Sequence, residues 1–150
     1  MKRKLLAPLV LLIFGALAQA GSCDAHTFAY VPNGQDGMLS IINTEDQRLV
    51  RDEQDTVVSI TGIGNGPHGV AVSPKGNEVF VSDPGTHTVS IIRTSDQSLY
   101  DQIIGNANFA PRGVALSTDG KYLYITAIRT DASDSVYAMN TNSGSLIGSI

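Results

Sequence analysis

The sequence predicts an all-β fold, a β-propeller built of four-stranded antiparallel blades, on three observations. A unit of about 44 residues recurs along the chain, apolar residues alternate within each unit, and turn residues separate the alternating stretches. Apolar residues at every second position indicate strands. A four-stranded unit of this length is the size of one propeller blade, and stacked blades bury both faces of each sheet. A β-sandwich is the competing architecture, but it requires no regular repeat.

The repeat rests on two blocks of similar residues. A tetrapeptide followed by an apolar hexapeptide occurs as Tyr30–Asn33 with Leu39–Thr44, as Phe80–Asp83 with Val89–Thr94, and as Tyr124–Ala127 with Val136–Thr141. A second block, Gly66–Ser73, is matched by Ala110–Ser117. These matches divide the predicted partial propeller, residues 28–150, into repeats at about 28–68, 69–112 and 113–150. The first copy carries six extra residues around Arg51–Thr56, and we interpret the charged run Arg48–Asp55 as a solvated hairpin extension.

The best-preserved copy shows the predicted strands of one blade. They are Gly69–Ser73, Glu78–Ser82, Thr88–Arg93 and Leu99–Ile104, with turn residues between them. No stretch after the N-terminal region has a helical period of apolar residues.

The N-terminal residues predict export. Residues 1–20 combine the basic Lys2–Lys4, the apolar Leu5–Leu17 and the small-residue pattern Ala18–Ala20, which is typical of a signal peptide cleaved after Ala20. Residues 21–27 would then be a linker, and the product periplasmic or extracellular. Two alternatives remain: an uncleaved membrane anchor, or lipidation of Cys23, the only cysteine, which would tie the protein to the cell surface or outer membrane.

Charge limits the class of partner. Removing residues 1–20 leaves seven basic against 14 acidic side chains. We therefore expect no nucleic-acid partner, because that requires a basic face, and membrane contact only through a lipid on Cys23.

The repeated tetrapeptides resemble the one that names the YVTN-repeat family of β-propellers, and Gly66–Gly76 is similar to the family's other signature. The resemblance covers residues 28–150. It implies a secreted, WD40-like, seven-bladed propeller of uncertain biochemical role. Pro32, Ala127 and Arg112 depart from the family pattern, which argues against a ligand shared by all blades.

The predicted strands form about two and three-quarter blades, an open arc of a seven-bladed propeller, because the first copy lacks the Gly-Val-Ala strand that opens the other two. Closed rings take roughly 4–8 blades. The sequence is therefore expected to be a fragment of a longer protein, or else to assemble with other copies into one ring.

Candidate ligand-binding residues lie in the loops that gather on one face of a propeller, where a rigid scaffold presents binding groups. His68 and Arg112 occupy equivalent places at the start of an innermost strand, so both should face the central channel. The full set of candidates is His68, Arg112, Asp83, His87, Arg129, Asp131 and Asp134. Their spacing matches neither a calcium loop nor a zinc pattern, so no metal site is predicted.

No catalytic residue is predicted, because the chain has no Gly-x-Ser-x-Gly elbow, no haem-attachment motif and no phosphate-binding glycine loop. No cofactor is expected. The sequence therefore favours a binding or scaffold module for a protein, glycan or small molecule. The alternative is the propeller domain of an enzyme, a lactonase-like hydrolase or a periplasmic redox protein.

Overall fold

A computed structural model describes residues 9–10, 27–105, 109–128 and 135–149. All regular structure in these ranges is strand, which confirms the all-β prediction. Within them there is no apolar helix of membrane-spanning length. The strands are β1 Leu9–Val10, β2 Thr27–Asn33, β3 Met38–Asn43, β4 Arg48–Leu49, β5 Ser59–Ile60, β6 Val70–Val72, β7 Glu78–Asp83, β8 Thr88–Arg93, β9 Ser98–Ile104, β10 Ala110–Leu116, β11 Tyr122–Ile128, β12 Ser135–Asn140 and β13 Leu146–Ser149.

The strands form three sheets, which we name as blades, and all pairs are antiparallel except that of β1 with β2. Blade 1 contains β2–β5, blade 2 contains β6–β9 and blade 3 contains β10–β13. Within blades 2 and 3 each strand pairs with the next along the chain, the meander of a propeller blade. In blade 2 the predicted strands agree with the observed ones to within about a residue or two, which is the usual spread of strand bounds.

Blade 1 differs from the other two at both edges. Its outer position is shared by β4 and β5, which both pair with β3. Between β4 and β5 the charged stretch leaves the sheet as an exposed hairpin. An isolated antiparallel β-bridge between the backbones of Arg51 and Val57 closes this hairpin. On the other side, β1 pairs in parallel with β2 through Thr27 and Phe28. β1 lies inside the predicted signal peptide, the rest of which is outside the described residues.

Two apolar clusters fill the spaces between blades. One joins Tyr30, Leu39 and Ile41 of blade 1 to residues of blade 2 that include Val79 and Val81. The other joins blades 2 and 3, and its members are Ala71, Phe80, Val89, Ile91, Phe109, Leu123, Ile125, Ala127 and Met139. The core of the described residues is therefore formed where one blade stacks on the next.

We call the face of a blade that points to the following blade its front face, and the opposite face its rear face.

Candidate functional site

The loop of residues 61–69 leads from blade 1 into blade 2 and lies against hairpins of both. Its Pro67 carbonyl is 3.3 Å from the Cβ position of Gly34, in the hairpin between β2 and β3. On the other side Gly64, with φ of +123°, lies so close to Asp83 that a Cβ there would overlap the carboxylate. A side chain at residue 64 would be disfavoured by this backbone conformation and by the contact. The loop is thus held in a narrow space between two hairpins.

Asp83 is the centre of this packing. Its fully buried carboxylate accepts hydrogen bonds from the backbone N–H groups of Gly66 at 2.8 Å, Gly85 at 2.7 Å and Thr86 at 3.0 Å. A buried charge is tolerated when several donors solvate it in this way. Asp83 was predicted as a ligand candidate, but its oxygens are directed to the backbone of two loops. The structure gives it the role of an anchor between them.

His87 has a comparable role at the next seam, by which we mean the junction between two neighbouring blades, here blades 2 and 3. It adopts a left-handed φ of +60°, and its Nδ1 lies 2.9 Å from the carbonyl oxygen of Phe109. Because a carbonyl only accepts, Nδ1 carries the proton in this contact. The His87 carbonyl accepts from the N–H of Gly105 at 2.8 Å. His87 therefore links the β7–β8 hairpin to the chain that enters blade 3.

Phe109 completes that seam. Its ring is buried and meets the ring of Tyr137 edge to face, with centroids 5.2 Å apart and planes at 79°. Such a T-shaped arrangement places the positive edge of one ring against the negative face of the other.

His68 and Arg112 are exposed, and neither side chain has a partner among the described residues. His68 lies two residues before the first residue of β6, and its N–H donates to the carbonyl of Ser82 at 2.8 Å. Arg112 occupies the irregularity of β10, where the register with β11 shifts between Pro111 and Val114. Both thus stand at the beginning of the first strand of a blade, as predicted from their equivalent places in the repeat.

Ser82 joins these two strand starts. Its hydroxyl accepts from the N–H of Gly69 at 2.9 Å and donates to the carbonyl of Arg112. A Cβ on Gly69 would overlap that same carbonyl, so glycine is required for the close approach of the two segments. The backbone next to His68 is therefore in contact with the backbone of Arg112.

The same hydroxyl contact recurs in blade 3, where Thr126 accepts from the N–H of Gly113 at 2.9 Å. Sequence reasoning missed this role. The available signal was the hydroxyl residue that recurs in the third place of the tetrapeptide, Ser82 and Thr126, with Pro32 at that place in blade 1.

The predicted candidates are therefore only partly brought together. Asp83 and His87 share a hairpin but serve separate seams, whereas His68 and Arg112 lie at adjoining strand starts. Arg129, Asp131, Asp134 and Cys23 lie outside the described residues. In the part of the chain that the structure describes, no three His, Cys, Asp or Glu side chains are grouped to hold a metal ion.

Comparison with known proteins places this architecture in a family. A family model described as lactonase, 7-bladed β-propeller matches residues 22–147. No curated protein matches. Among solved structures, a chain of Kuenenia stuttgartiensis hydrazine synthase is similar with a TM-score of 0.66 and 17% identity, over 80% of this chain and 31% of that one. At this identity the likeness shows the fold alone, and the present chain spans less than a third of that protein's length. The narrower YVTN-repeat assignment stays a prediction.

Proposed function

The chain belongs to the family of seven-bladed β-propeller lactonases, and we propose that it is a ligand-binding propeller module whose contact residues are His68 and Arg112. The observation that carries this proposal is that His68 and Arg112, two exposed nitrogen side chains, stand at adjoining strand starts. Asp83 and His87 are engaged with backbone groups. Among the described residues, neither His68 nor Arg112 has a side-chain partner.

The chemistry of these two residues favours a ligand with an anionic group. The guanidinium of Arg112 is permanently charged and offers donors in a planar fork that matches a carboxylate or phosphate. The imidazole of His68 can add a further hydrogen-bond donor. The buried carboxylate of Asp83 already accepts hydrogen bonds from three backbone N–H groups. A ligand carboxylate would therefore meet little competition from within the blade.

The test is a titration of residues 21–150 with 4-hydroxybutyrate, followed by chemical shifts of the backbone amides. We expect shifts centred on residues 67–69 and 112–113. Arg112→Gln should weaken binding roughly tenfold or more, because a charge-assisted hydrogen bond contributes about 1.5–3 kcal/mol. Arg93→Gln is the matched control, since Arg93 is also exposed but lies on β8, beside Asp96 and Tyr100. Equal affinity in wild type and Arg112→Gln would overturn the proposal.

Lactone hydrolysis is a second candidate function, and the family match favours it. In this reaction water adds to the ester carbonyl, the ring C–O bond breaks, and a hydroxycarboxylate and a proton are released. Arg112 could stabilise the oxyanion that forms, and His68 could take the proton from the attacking water. The carboxylate product would occupy the same place as the proposed ligand.

Proton release from γ-butyrolactone, measured at constant pH, tests this second function. The enzyme interpretation requires a rate above the uncatalysed one that falls at least about tenfold in His68→Gln, because general-base catalysis contributes about 10²–10⁴-fold. A wild-type rate equal to the uncatalysed rate would leave only the binding function. No observation on the described residues favours the redox alternative.

Export remains part of the proposal. The basic, apolar and small-residue segments of residues 1–20 support a cleaved leader. Intact mass spectrometry of the product from the native host distinguishes the three outcomes. A mass beginning at Gly21 supports cleavage after Ala20, a mass beginning at a diacylated Cys23 supports lipidation, and a retained Met1 would contradict both.

A further inference from the structure

The backbone of Arg112 is held by blade 2 as well as by its own blade. The register between β10 and β11 is interrupted between Pro111 and Val114, so that it pairs no residue of β11 with Arg112. The carbonyl of Arg112 instead accepts a hydrogen bond from the hydroxyl of Ser82, which lies on β7 of blade 2. The direction in which this part of β10 faces therefore depends on a contact across the seam between blades 2 and 3.

Ser82 also holds the backbone on either side of the peptide bond that follows His68. Its carbonyl accepts from the N–H of His68 at 2.8 Å, and its hydroxyl accepts from the N–H of Gly69 at 2.9 Å. Ser82 is fully buried, and a buried group that loses its hydrogen-bond partner has no water to replace it. One residue thus fixes the backbone from which both proposed contact side chains extend.

On the basis of the proposed function, we propose that Ser82 is a positioning residue that fixes the Arg112 guanidinium relative to the His68 imidazole. Its side chain touches no ligand and acts through the backbone of the two contact residues. The two contact residues belong to neighbouring blades, so the binding site is a property of the seam and is absent from either blade alone.

The expected effect on affinity follows from the geometry of a guanidinium. Two parallel hydrogen bonds to a carboxylate form only when the planar fork of Arg112 meets the carboxylate in the correct orientation. A backbone that is fixed before binding leaves fewer conformations to be lost when the ligand binds. Without the Ser82 hydroxyl, the guanidinium keeps its charge but loses its fixed origin. The contribution of Arg112 to affinity should then fall.

The test is a double-mutant cycle on residues 21–150, with 4-hydroxybutyrate as the probe. Ser82→Ala should weaken binding about three- to tenfold, and in that background Arg112→Gln should weaken it further by less than about threefold, against about tenfold in the wild type. Ser82→Thr should restore most of the affinity, because Thr126 makes the same hydroxyl contact to Gly113 in blade 3. Ser82→Cys keeps a weaker donor and should give an intermediate loss, which extends the cycle if the alanine variant does not fold.

Thr94→Val is the matched control for a lost buried hydroxyl. Thr94 is also buried in blade 2, and its hydroxyl donates to the carbonyl of Gly76 at 2.7 Å. Gly76 lies in the turn that follows β6, at the opposite end of that strand from His68. The control should lose stability but keep the wild-type affinity, and Arg112→Gln should retain its about tenfold effect in this background. Circular dichroism shows whether each variant is folded at the temperature of the titration.

The outcomes separate this role of Ser82 from the proposed function. Absence of binding by the wild type, or equal affinity in the wild type and Arg112→Gln, would overturn both. If Arg112→Gln weakens binding in the wild type and by the same factor in the Ser82→Ala background, the contact residues stand and the positioning role of Ser82 is overturned. An equal loss of affinity in Thr94→Val would also overturn that role, because it would trace the loss to stability alone.

Discussion

Blades 2 and 3 carry the same alternation of apolar residues, yet among the residues that the structure describes only blade 2 packs against a blade on both faces. Phe80 and Tyr124 occupy equivalent places and are 1% and 40% exposed. Val89 and Val136 repeat the difference, at 0% and 36%. The alternation of residues specifies which face of a strand is apolar, but the adjacent blade decides whether that face becomes core.

The hairpins between the second and third strands of these blades differ as well. The blade 2 hairpin follows Asp83, whose carboxylate accepts a hydrogen bond from the preceding loop. At the equivalent position of the repeat, blade 3 has the apolar Ala127. The hydroxyl contact to the first strand is kept in both, through Ser82 and Thr126. Within the described residues of these two blades, a buried carboxylate therefore joins neighbouring loops at Asp83 alone.

The largest expected effect comes from the front-face aromatic residues. Phe80→Ala should lower the free energy of unfolding by about 3–5 kcal/mol, because it removes a large buried side chain and leaves a cavity. Tyr124→Ala should lower it by less than about 1 kcal/mol in the single chain, as is usual for exposed positions. Urea unfolding of residues 21–150 measures both losses. Equal losses of unfolding free energy in the two variants would contradict the difference in burial between blades 2 and 3.

The next effect concerns the anchor. Asp83→Ala leaves three backbone donors without their acceptor and should cost about 3 kcal/mol, at roughly 1 kcal/mol or more for each donor. Asp83→Asn keeps one acceptor oxygen and should cost less. Asp36→Ala, at an exposed turn position, serves as the control in the same unfolding measurement. A near-neutral Asp83→Ala would show that the seam does not depend on the carboxylate.

A smaller difference is expected between two glycines at equivalent places. A Cβ at residue 69 would overlap a backbone carbonyl, whereas one at residue 113 would meet the Thr126 hydroxyl at 2.8 Å. A backbone atom cannot rotate away, so Gly69→Ala should cost about 1–3 kcal/mol. Gly113→Ala should cost less, because the threonine side chain can change rotamer. Thermal unfolding of the two variants measures which one loses more stability. A larger loss in Gly113→Ala than in Gly69→Ala would contradict the close contact between Gly69 and the carbonyl of Arg112.

The smallest effect is at Tyr30, whose buried hydroxyl has no hydrogen-bond partner among the described residues. Tyr30→Phe should raise the free energy of unfolding by about 1 kcal/mol, because it removes an unsatisfied polar group. Phe80 fills the equivalent place in blade 2, so a phenyl ring fits this type of site. A destabilised Tyr30→Phe would indicate that the hydroxyl has a partner.

The same residue predicts a pH dependence. Desolvation raises the pKa of Tyr30 from 10.0 to about 12. Because the folded protein holds the proton more tightly than the unfolded chain, this contribution to stability is complete below pH 10 and is lost as the pH rises through about 12. Tyr30→Phe should lack this loss. Unfolding curves between pH 9 and pH 12, at roughly one-unit steps, compare the two proteins.

Much of the fold could be predicted because strand alternation and glycine turns are local features. The strands of blade 2 and the extra hairpin in blade 1 follow from the repeat alone. The division of the outer strand into β4 and β5 could not be predicted, since both segments pair with β3 and the intervening stretch gives no alternation that marks where pairing stops.

The site was harder to predict for a related reason. His68 and Arg112 were predicted as candidates from their equivalent places in the repeat, and their role in binding stays a prediction. The roles of Asp83 and His87 depend on backbone groups 17 and 22 residues away along the chain, and no pattern in a single sequence shows those contacts. A polar residue in a loop looks the same whether it binds a ligand or the neighbouring loop, until its partners are known.

Thiol labelling at Val89 and Val136 tests most directly that equivalent positions differ only through the neighbouring blade. Val89→Cys and Val136→Cys are prepared with Cys23→Ser, so that each protein has one thiol. In a dilute solution of folded residues 21–150, the thiol at residue 136 should react at the rate of an exposed cysteine, whereas the thiol at residue 89 should react only when the protein unfolds. Equal reaction rates at the two positions would contradict stacking as the origin of the core.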